Sequence, residues 1–541
     1  MIGISRWKAV LGPQALSAVP SRSVGYLWLL SASASTLLLL NRWQALLPAS
    51  DVRYYGPWTP TLASVGALIV LHLLVSLACL VTVRTIWPHI QRFPLLRMAS
   101  LLAAMFLLLS PLRQPAAYWV PMLNRGVAQA RLGRAGLWAL SLLVLLGCIG
   151  AVLKWPRRVE RFLGNTLLIL TPLPLVLLLK ILPTLGGVPS PLQITELPDG
   201  PAPFRQLYLL IFDEWDYGWT FAHRPEKLTL PNLDALVKVS FQAERAYPPT
   251  AETATSIPSL LTGILFKEAT IDSKQNFLVK AMDSGEWVAQ SDLNDLPREA
   301  SRRNQRTLLL GCLHSYAAEY QHERPLLDLY RLPLFADWKF TADSHGSVFR
   351  SLGLFARLAL MDVQGVRARV QSKYQRQALR DFESRLLAEI RSPQHDLVIA
   401  HLPVPHAPAL EGGDPRFPGQ LANLPILDAF VGRLRRQLEL AGRWNRTTLI
   451  ITSDHWQRDM TAISLPRRPP PFAAPDMRRR IPFVIWMPDH PRGERSDIAM
   501  NNRIVFNLVN GWLRGALLSP ELVKSEAQRM PSEGYYDPAV N

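Results

Sequence analysis

Cysteine is scarce, with three residues in a chain of 541. Cys79 and Cys148 fall inside apolar stretches, which leaves Cys312 alone in the polar part of the chain. No disulfide framework can be built from this set, and without a C-x-x-C pair the usual zinc-finger and redox motifs are excluded. The count does not decide the compartment, because an extracytoplasmic enzyme can do without disulfides. Charge is scarce too: 19% of residues are charged against 49% hydrophobic. Acidic residues number 42 and basic ones 59, for a formal charge of +17. That excess would suit nucleic acid, yet no aromatic-and-basic RNA-binding motif accompanies it. Much of it lies in short loops between apolar segments, where lysine and arginine set membrane orientation. Anionic lipid or phosphorylated substrates are therefore the expected partners, and nucleic acid is not.

The long apolar runs gather in the first third. A helix needs about 20 apolar residues to cross a bilayer core, and the candidates are Gly25–Leu47, Leu62–Val83, Met98–Leu112, Ala135–Leu153 and Phe162–Pro183. Arg42 at the end of the first run can snorkel, and its presence in place of a small-residue cleavage site argues against a cleaved signal peptide. Pro172 and Pro174 should kink the fifth run. With the N-terminus inside, the inner segments carry Arg6, Lys8, Arg22, Arg84, Arg92, Arg97, Lys154, Arg157, Arg158 and Arg161, against Arg42, Arg53, Arg113, Arg125, Arg131 and Arg134 outside. Five crossings then put the C-terminal part outside the cytoplasm. Few charges interrupt the apolar runs, Lys180 lying near an end, so a transport path is not indicated. The expected organisation is a transmembrane domain over 1–183, a Gly- and Pro-rich linker over 184–204, and a catalytic domain over 205–541.

In that last part, short apolar runs at Leu207–Phe212, Thr307–Leu310, Asp396–Ala400, Thr448–Thr452 and Pro482–Trp486 read as buried strands. Helical patterns at Val366–Arg391 and Leu424–Ala441 lie between them, so an αβα sandwich with a mostly parallel sheet is expected. Ligands in such folds bind beyond the carboxyl ends of the strands. The polar residues are found there: Asp213-Glu214 and Asp216 after the first run, His401 after the third with His406 close behind, and Ser453-Asp454-His455 after the fourth. Any one of these is an ordinary cap or surface group. Together they make carboxylate and imidazole converge on one edge, a donor set suited to zinc or manganese, whereas carboxylates alone would suit magnesium or calcium.

Hydroxyl residues crowd the segment Thr250-Ala-Glu-Thr253-Ala-Thr255-Ser256-Ile-Pro258-Ser259-Leu-Leu-Thr262-Gly263. It reads as a short helix with Pro258 in its first turn and Gly263 as its stop. Serine and threonine are common caps, but a helix start also offers N–H groups to an anion, and a metal-bound threonine hydroxyl there would be nucleophilic.

The order of these motifs (Asp213-Glu214, then a hydroxyl helix ending Leu-Leu-Thr-Gly, then Pro405-His406-Ala-Pro408 within the run from His401, then Ser453-Asp454-His455) resembles the alkaline phosphatase/sulfatase superfamily, over roughly residues 205–490. Within it the chain resembles sulfatases and the membrane-bound phosphoethanolamine and phosphoglycerol transferases. Counting back from Thr262-Gly263 on the sulfatase pattern, or forward along the transferases' T-A-V-S-V-P pattern, places the nucleophile at Thr253. Thr250 and Thr255 are its natural controls. By the same resemblance Asp213, Glu214, Asp454, His455 and Thr253 would hold the metal, and His406 would face the transferred or leaving group. His401 and Arg458 would contact substrate, with the Arg478–Arg480 run as a further basic candidate. There are departures. Thr255 and Ile257 stand where sulfatases have proline and arginine, Trp456 replaces the glycine after Ser-Asp-His, and Leu465–Pro471 occupies the stretch of the transferases' later histidine. Threonine cannot become formylglycine, so ordinary sulfatase chemistry is not expected. The resemblance implies a bacterial plasma-membrane enzyme, catalytic domain outward, that moves a phospho-head-group from a phospholipid donor to an envelope glycan or lipid acceptor. A phosphodiesterase or phosphatase that uses water, and an inactive envelope scaffold, are the alternatives.

Overall fold

The computed structural model describes residues 24–40, 62–109, 143, 145–181, 203–271, 276–311, 316, 320, 327–331, 366–417, 419–457, 475–534 and 536. The chain forms two compact units, one drawn mainly from the first 187 residues and the other mainly from residues 188–541.

The first unit is helical. Its helices include Val24–Leu38, Leu62–Val81, Pro94–Leu109 and Pro156–Ile169. Leu37, Leu101, Val152, Val159 and Leu163 pack together inside it, while Leu73, Leu74 and Leu77 face outward. Ser35 donates to the carbonyl of His72 at 2.9 Å, joining the first two helices. Val65–Ile90 and Pro156–Ile181 are long and apolar enough to cross a membrane. The second of these covers the fifth expected run as far as Ile181, and it breaks at residues 170–172 before resuming as Leu173–Ile181, where Pro172 and Pro174 deny the helix its N–H donors. The helices at Val24–Leu38 and Pro94–Leu109 are shorter than a full crossing, and much of the fourth run lies outside the described residues.

The second unit is built on a mixed sheet. Its strands, numbered in chain order, are β1 (Gln206–Asp213), β2 (Phe241–Tyr247), β3 (Phe266–Ile271), β4 (Phe277–Ala281), β5 (Trp287–Ala289), β6 (Thr307–Gly311), β7 (Leu327–Arg331), β8 (Leu397–Pro405), β9 (Thr447–Ser453), β10 (Ile481–Trp486), β11 (Glu494–Ser496) and β12 (Met500–Asn501). The main sheet runs β11-β2-β10-β9-β1-β8-β6-β7, with β12 on β2, and β3-β4-β5 form a separate antiparallel sheet. β1 lies at the centre, parallel to β8 and to β9. All five expected strands are present, but β10 runs antiparallel to β9 and β2. An apolar run carries no sign of its direction, because either direction buries the same side chains.

Successive residues of β1 point to opposite faces. Tyr208, Leu210 and Phe212 join a core with Phe382, Leu386, Phe430 and Leu434, from the helices Val366–Arg391 and Leu424–Leu440. Leu207, Leu209 and Ile211 join the opposite core with Ile257, Leu260, Val505 and Leu508. Both faces are covered, so every residue of β1 is buried, and each such aliphatic side chain contributes about 1.5–3 kcal/mol of burial. Register brings Phe212 level with Ser453 on β9 and Ile211 level with His401 on β8. β8 continues to Pro405, so His401 lies within the strand and does not end it. The carboxyl ends of β1, β8 and β9 share one edge of the sheet.

Candidate active site

The chain leaves β1 through Asp213 and turns at Glu214, whose φ of 60° is left-handed. That conformation costs an L-residue roughly 1–2 kcal/mol. It is held by its surroundings: the Glu214 N–H donates to Asp454 Oδ1 at 3.1 Å, and the Trp215 N–H to Ser453 Oγ at 2.8 Å. The two strand ends are thus laced together, and Asp213 and Asp454 come side by side, 1% and 0% exposed.

The hydroxyl segment reaches the same place from β2. Its helix spans Thr253–Thr262, so Thr253 is the first helical residue and Pro258 lies inside the helix, not in its first turn as expected. The helix begins earlier than Pro258 alone would require because the Thr255 and Ser256 N–H groups already bond to the Glu252 carbonyl, at 3.2 and 2.9 Å. Gly263 ends it as expected, with φ of 75° and its N–H on Ser259 O at 2.9 Å. Thr253 Oγ1 donates to Asp454 Oδ2 at 2.7 Å and lies 3.2 Å from His455 Nε2. His455 Nδ1 is 2.9 Å from the Trp456 carbonyl, which can only accept, so the proton belongs on Nδ1 and the lone pair of Nε2 faces Thr253. Thr250 and Thr255 are occupied differently, their hydroxyls bonding each other at 2.7 Å. The geometry therefore separates Thr253 from its two controls.

Asp213, Asp454 and His455 offer ligand atoms within 4.8 Å of one another, all three buried. Two buried carboxylates with an imidazole need a cation to balance them, and this donor set fits a divalent metal. Glu214 is not in that group; its Oε2 lies 3.8 Å from His406 Nε2. The turn at Glu214 sends its side chain toward the loop after β8, so Asp213 is the carboxylate of this pair that converges with Asp454. His401 Nε2 is 3.8 Å from Asp454 Oδ2 and fully buried. Arg458 lies outside the described residues.

Trp456 packs edge-on to Tyr536 at 5.2 Å, with the Arg479 guanidinium over the Tyr536 ring at 4.7 Å. Burial pushes the Tyr536 phenol above its usual range. Arg480 pairs with Asp476 at 3.0 Å. Reading by sequence missed the supports of the site. Ser256 Oγ donates to the Asp454 carbonyl, and Asn502 Nδ2 donates to Thr452 Oγ1 at 3.1 Å and to the Ser453 carbonyl at 2.8 Å. The hydroxyl of Ser256 stood in the motif, while nothing in the sequence marked Asn502, which is distant in the chain.

The family model for sulfatases matches residues 209–514. Among solved structures, the chain is similar to a phosphonate monoester hydrolase from Silicibacter pomeroyi, at 13% identity over 57% of this chain and 73% of that one, with a TM-score of 0.38. It is likewise similar to a sulfatase from Pseudoalteromonas sp., at 14% identity over 62% and 70% of the two chains with a TM-score of 0.38. A third is murine ectonucleotide pyrophosphatase/phosphodiesterase 5, at 11% identity over 59% and 99% with a TM-score of 0.37. No curated protein sequence matches. The family match spans more than half of the chain, including β1, the hydroxyl helix and the Ser453-Asp454-His455 turn, and the chain accordingly belongs to the sulfatase family.

Proposed function

We propose that this enzyme is a membrane-bound, metal-dependent phospho-head-group transferase that uses Thr253 as its nucleophile. The observation that carries the reading is the Thr253 hydroxyl, 2.7 Å from Asp454 and 3.2 Å from His455, beside the Asp213–Asp454–His455 group. These residues would hold zinc or manganese, with Glu214 at the margin. When bound, such an ion lowers the pKa of a hydroxyl beside it and offsets negative charge on the phosphoryl oxygens.

Thr253 Oγ1 attacks the phosphorus of a phospholipid diester and passes its proton to Asp454 along the 2.7 Å hydrogen bond it already makes. The Thr253–phosphorus bond forms as the bond to diacylglycerol breaks, and His406 Nε2 gives the leaving oxygen its proton. A hydroxyl of an envelope glycan or lipid then attacks the same phosphorus and gives its proton to His406. Thr253 leaves with its own proton restored. His401, buried against Asp454, orients that carboxylate in this scheme more readily than it touches substrate. The apolar helices would make up the anchor over 1–183 and the linker over 184–204, with the catalytic domain of 205–541 on the outer side of a bacterial plasma membrane. Tethering raises the effective concentration of the site at the lipid donor.

Hydrolysis is a second reading, favoured by Trp456 and by the lack of a counterpart to the transferases' later histidine. The test is peptide-level mass analysis of the full chain in detergent, incubated with manganese or zinc and phosphatidylethanolamine or phosphatidylglycerol, beside Thr253→Ala. A phospho-head-group adduct on Thr253, absent from the variant, supports transfer. Released head-group phosphate without transfer to any acceptor would favour hydrolysis, and bound metal with neither product would sink both.

A further inference from the structure

His406 and Glu214 come from different strands, yet their side chains lie 3.8 Å apart, and something must hold the two backbones in place. The loop of His406 is poorly equipped to hold itself. Pro403, Pro405 and Pro408 supply no N–H groups, so the carbonyls around His406 have few local donors. The Ala407 carbonyl accepts from His406 Nδ1 and from Gln375 Nε2 at 3.5 Å, and three of the other carbonyls are met by one side chain. Asn423 Nδ2 donates to Pro405 O at 3.2 Å, His406 O at 3.0 Å and Pro408 O at 3.0 Å, while Asn423 Oδ1 accepts from the Leu410 N–H at 2.8 Å. Asn423 is fully buried. It precedes the helix Leu424–Leu440, where an asparagine ordinarily caps, but its side chain makes no cap bond there. Its amide has been turned to the loop instead.

Glu214 is held from the same turn. Gln420 Nε2 donates to the Glu214 carbonyl, and Gln420 is also buried. Residues Gly419–Asn423 form a 3-10 turn, in which side chains three apart lie on one side. Gln420 and Asn423 are three apart.

We infer that Gln420 and Asn423 are positioning residues, a pair of amides on one rigid turn that sets the placement of Glu214 against His406. The inference rests on the reading of His406 as the group that protonates the leaving oxygen. Such a group matters most for a leaving group that cannot depart as an anion.

The experiment uses the full metal-loaded chain as wild type, Asn423→Ala and Gln420→Ala. Asn232→Ala is the control for general destabilisation, since it loses a 2.7 Å bond to Asp428 away from the strand-end site. Hydrolysis of bis(4-nitrophenyl) phosphate and diphenyl phosphate is measured together with amide hydrogen exchange by mass spectrometry. Asn423→Ala should lower kcat for diphenyl phosphate about tenfold more than for the nitrophenyl ester, with KM changed less than about threefold. Exchange should quicken in peptides covering 402–411 for Asn423→Ala and 211–217 for Gln420→Ala, and in neither for Asn232→Ala. Equal losses on both esters, or exchange unchanged or raised throughout the domain, would overturn the inference. If wild type cleaves neither ester, the proposed phosphodiester reaction fails on its own; exchange then decides the clamp, local quickening keeping it and its absence ending it.

Discussion

Three threonines crowd the start of one helix, and replacing each with valine distinguishes them at nearly constant shape. Thr253→Val removes a hydroxyl that donates to a buried carboxylate at 2.7 Å. It also removes the nucleophile of the first step in the proposed route, so kcat/KM should fall at least about 10³-fold, which is about 4 kcal/mol of transition-state stabilisation. Thr253→Ser keeps the hydroxyl and loses the methyl that stiffens χ1; at about 0.5–1 kcal/mol of rotamer freedom the loss should be roughly two- to fivefold. Thr250→Val and Thr255→Val each break the same 2.7 Å bond. The survivor still reaches the Glu252 carbonyl, at 3.1 Å from Thr250 or 3.3 Å from Thr255, so each variant should lose only about 0.5–1 kcal/mol of stability. Because the two share one bond, the double variant should cost less than the sum. The assays are initial rates on bis(4-nitrophenyl) phosphate at matched metal content and thermal melts of each protein. A Thr253→Val enzyme keeping more than about a tenth of the wild-type rate would refute the assignment. So would a Thr250→Val enzyme as crippled as Thr253→Val.

Chelation should abolish activity, and readdition of manganese or zinc should restore it while raising the melting temperature, since an ion at 100 times its Kd adds about 2.7 kcal/mol to the folded state. Asp213→Asn and His455→Ala should each lower bound metal measured by elemental analysis, whereas Thr250→Val should not. Gly263→Ala places a Cβ 2.9 Å from Phe506 at a φ of 75°, so it should destabilise by roughly 2–4 kcal/mol in denaturant titration; a change within about 0.5 kcal/mol would mean the helix ends otherwise. Burial tends to raise the pKa of Glu299, but bonds from Asn294, Arg303 and Arg302 outweigh it and hold the carboxyl below its ordinary range. The stability it contributes is present above the unfolded carboxylate pKa and is lost as pH falls through the folded one. Glu299→Gln should therefore flatten the acid limb of a stability–pH curve, and an unaltered limb would count against the linkage.

Local patterns were sufficient for much of this. The apolar run of β1 announces a strand buried on both faces, because only such a strand has no polar alternation, and Gly263 announces a helix stop because glycine alone takes the left-handed conformation without strain. Pro172 and Pro174 announced the break in the apolar helix for the same kind of reason. The ordered motifs also marked Thr253, Asp454 and His455 as neighbours. Strand direction was not legible, so β10 proved antiparallel, and neither was the reach of β8, which continues through His401. The choice between Asp213 and Glu214 was equally hidden: they are neighbours in the chain, and a left-handed turn sends one carboxylate toward Asp454 and His455 and the other toward His406. By itself the sequence determined the elements and the residue types at the edge of the sheet, because propensity and periodicity act over a few residues. Only the tertiary structure decided which oxygen and nitrogen atoms face Thr253, and which amides hold them there, because those contacts join residues as far apart as Glu214 and Gln420 and depend on how whole strands stack.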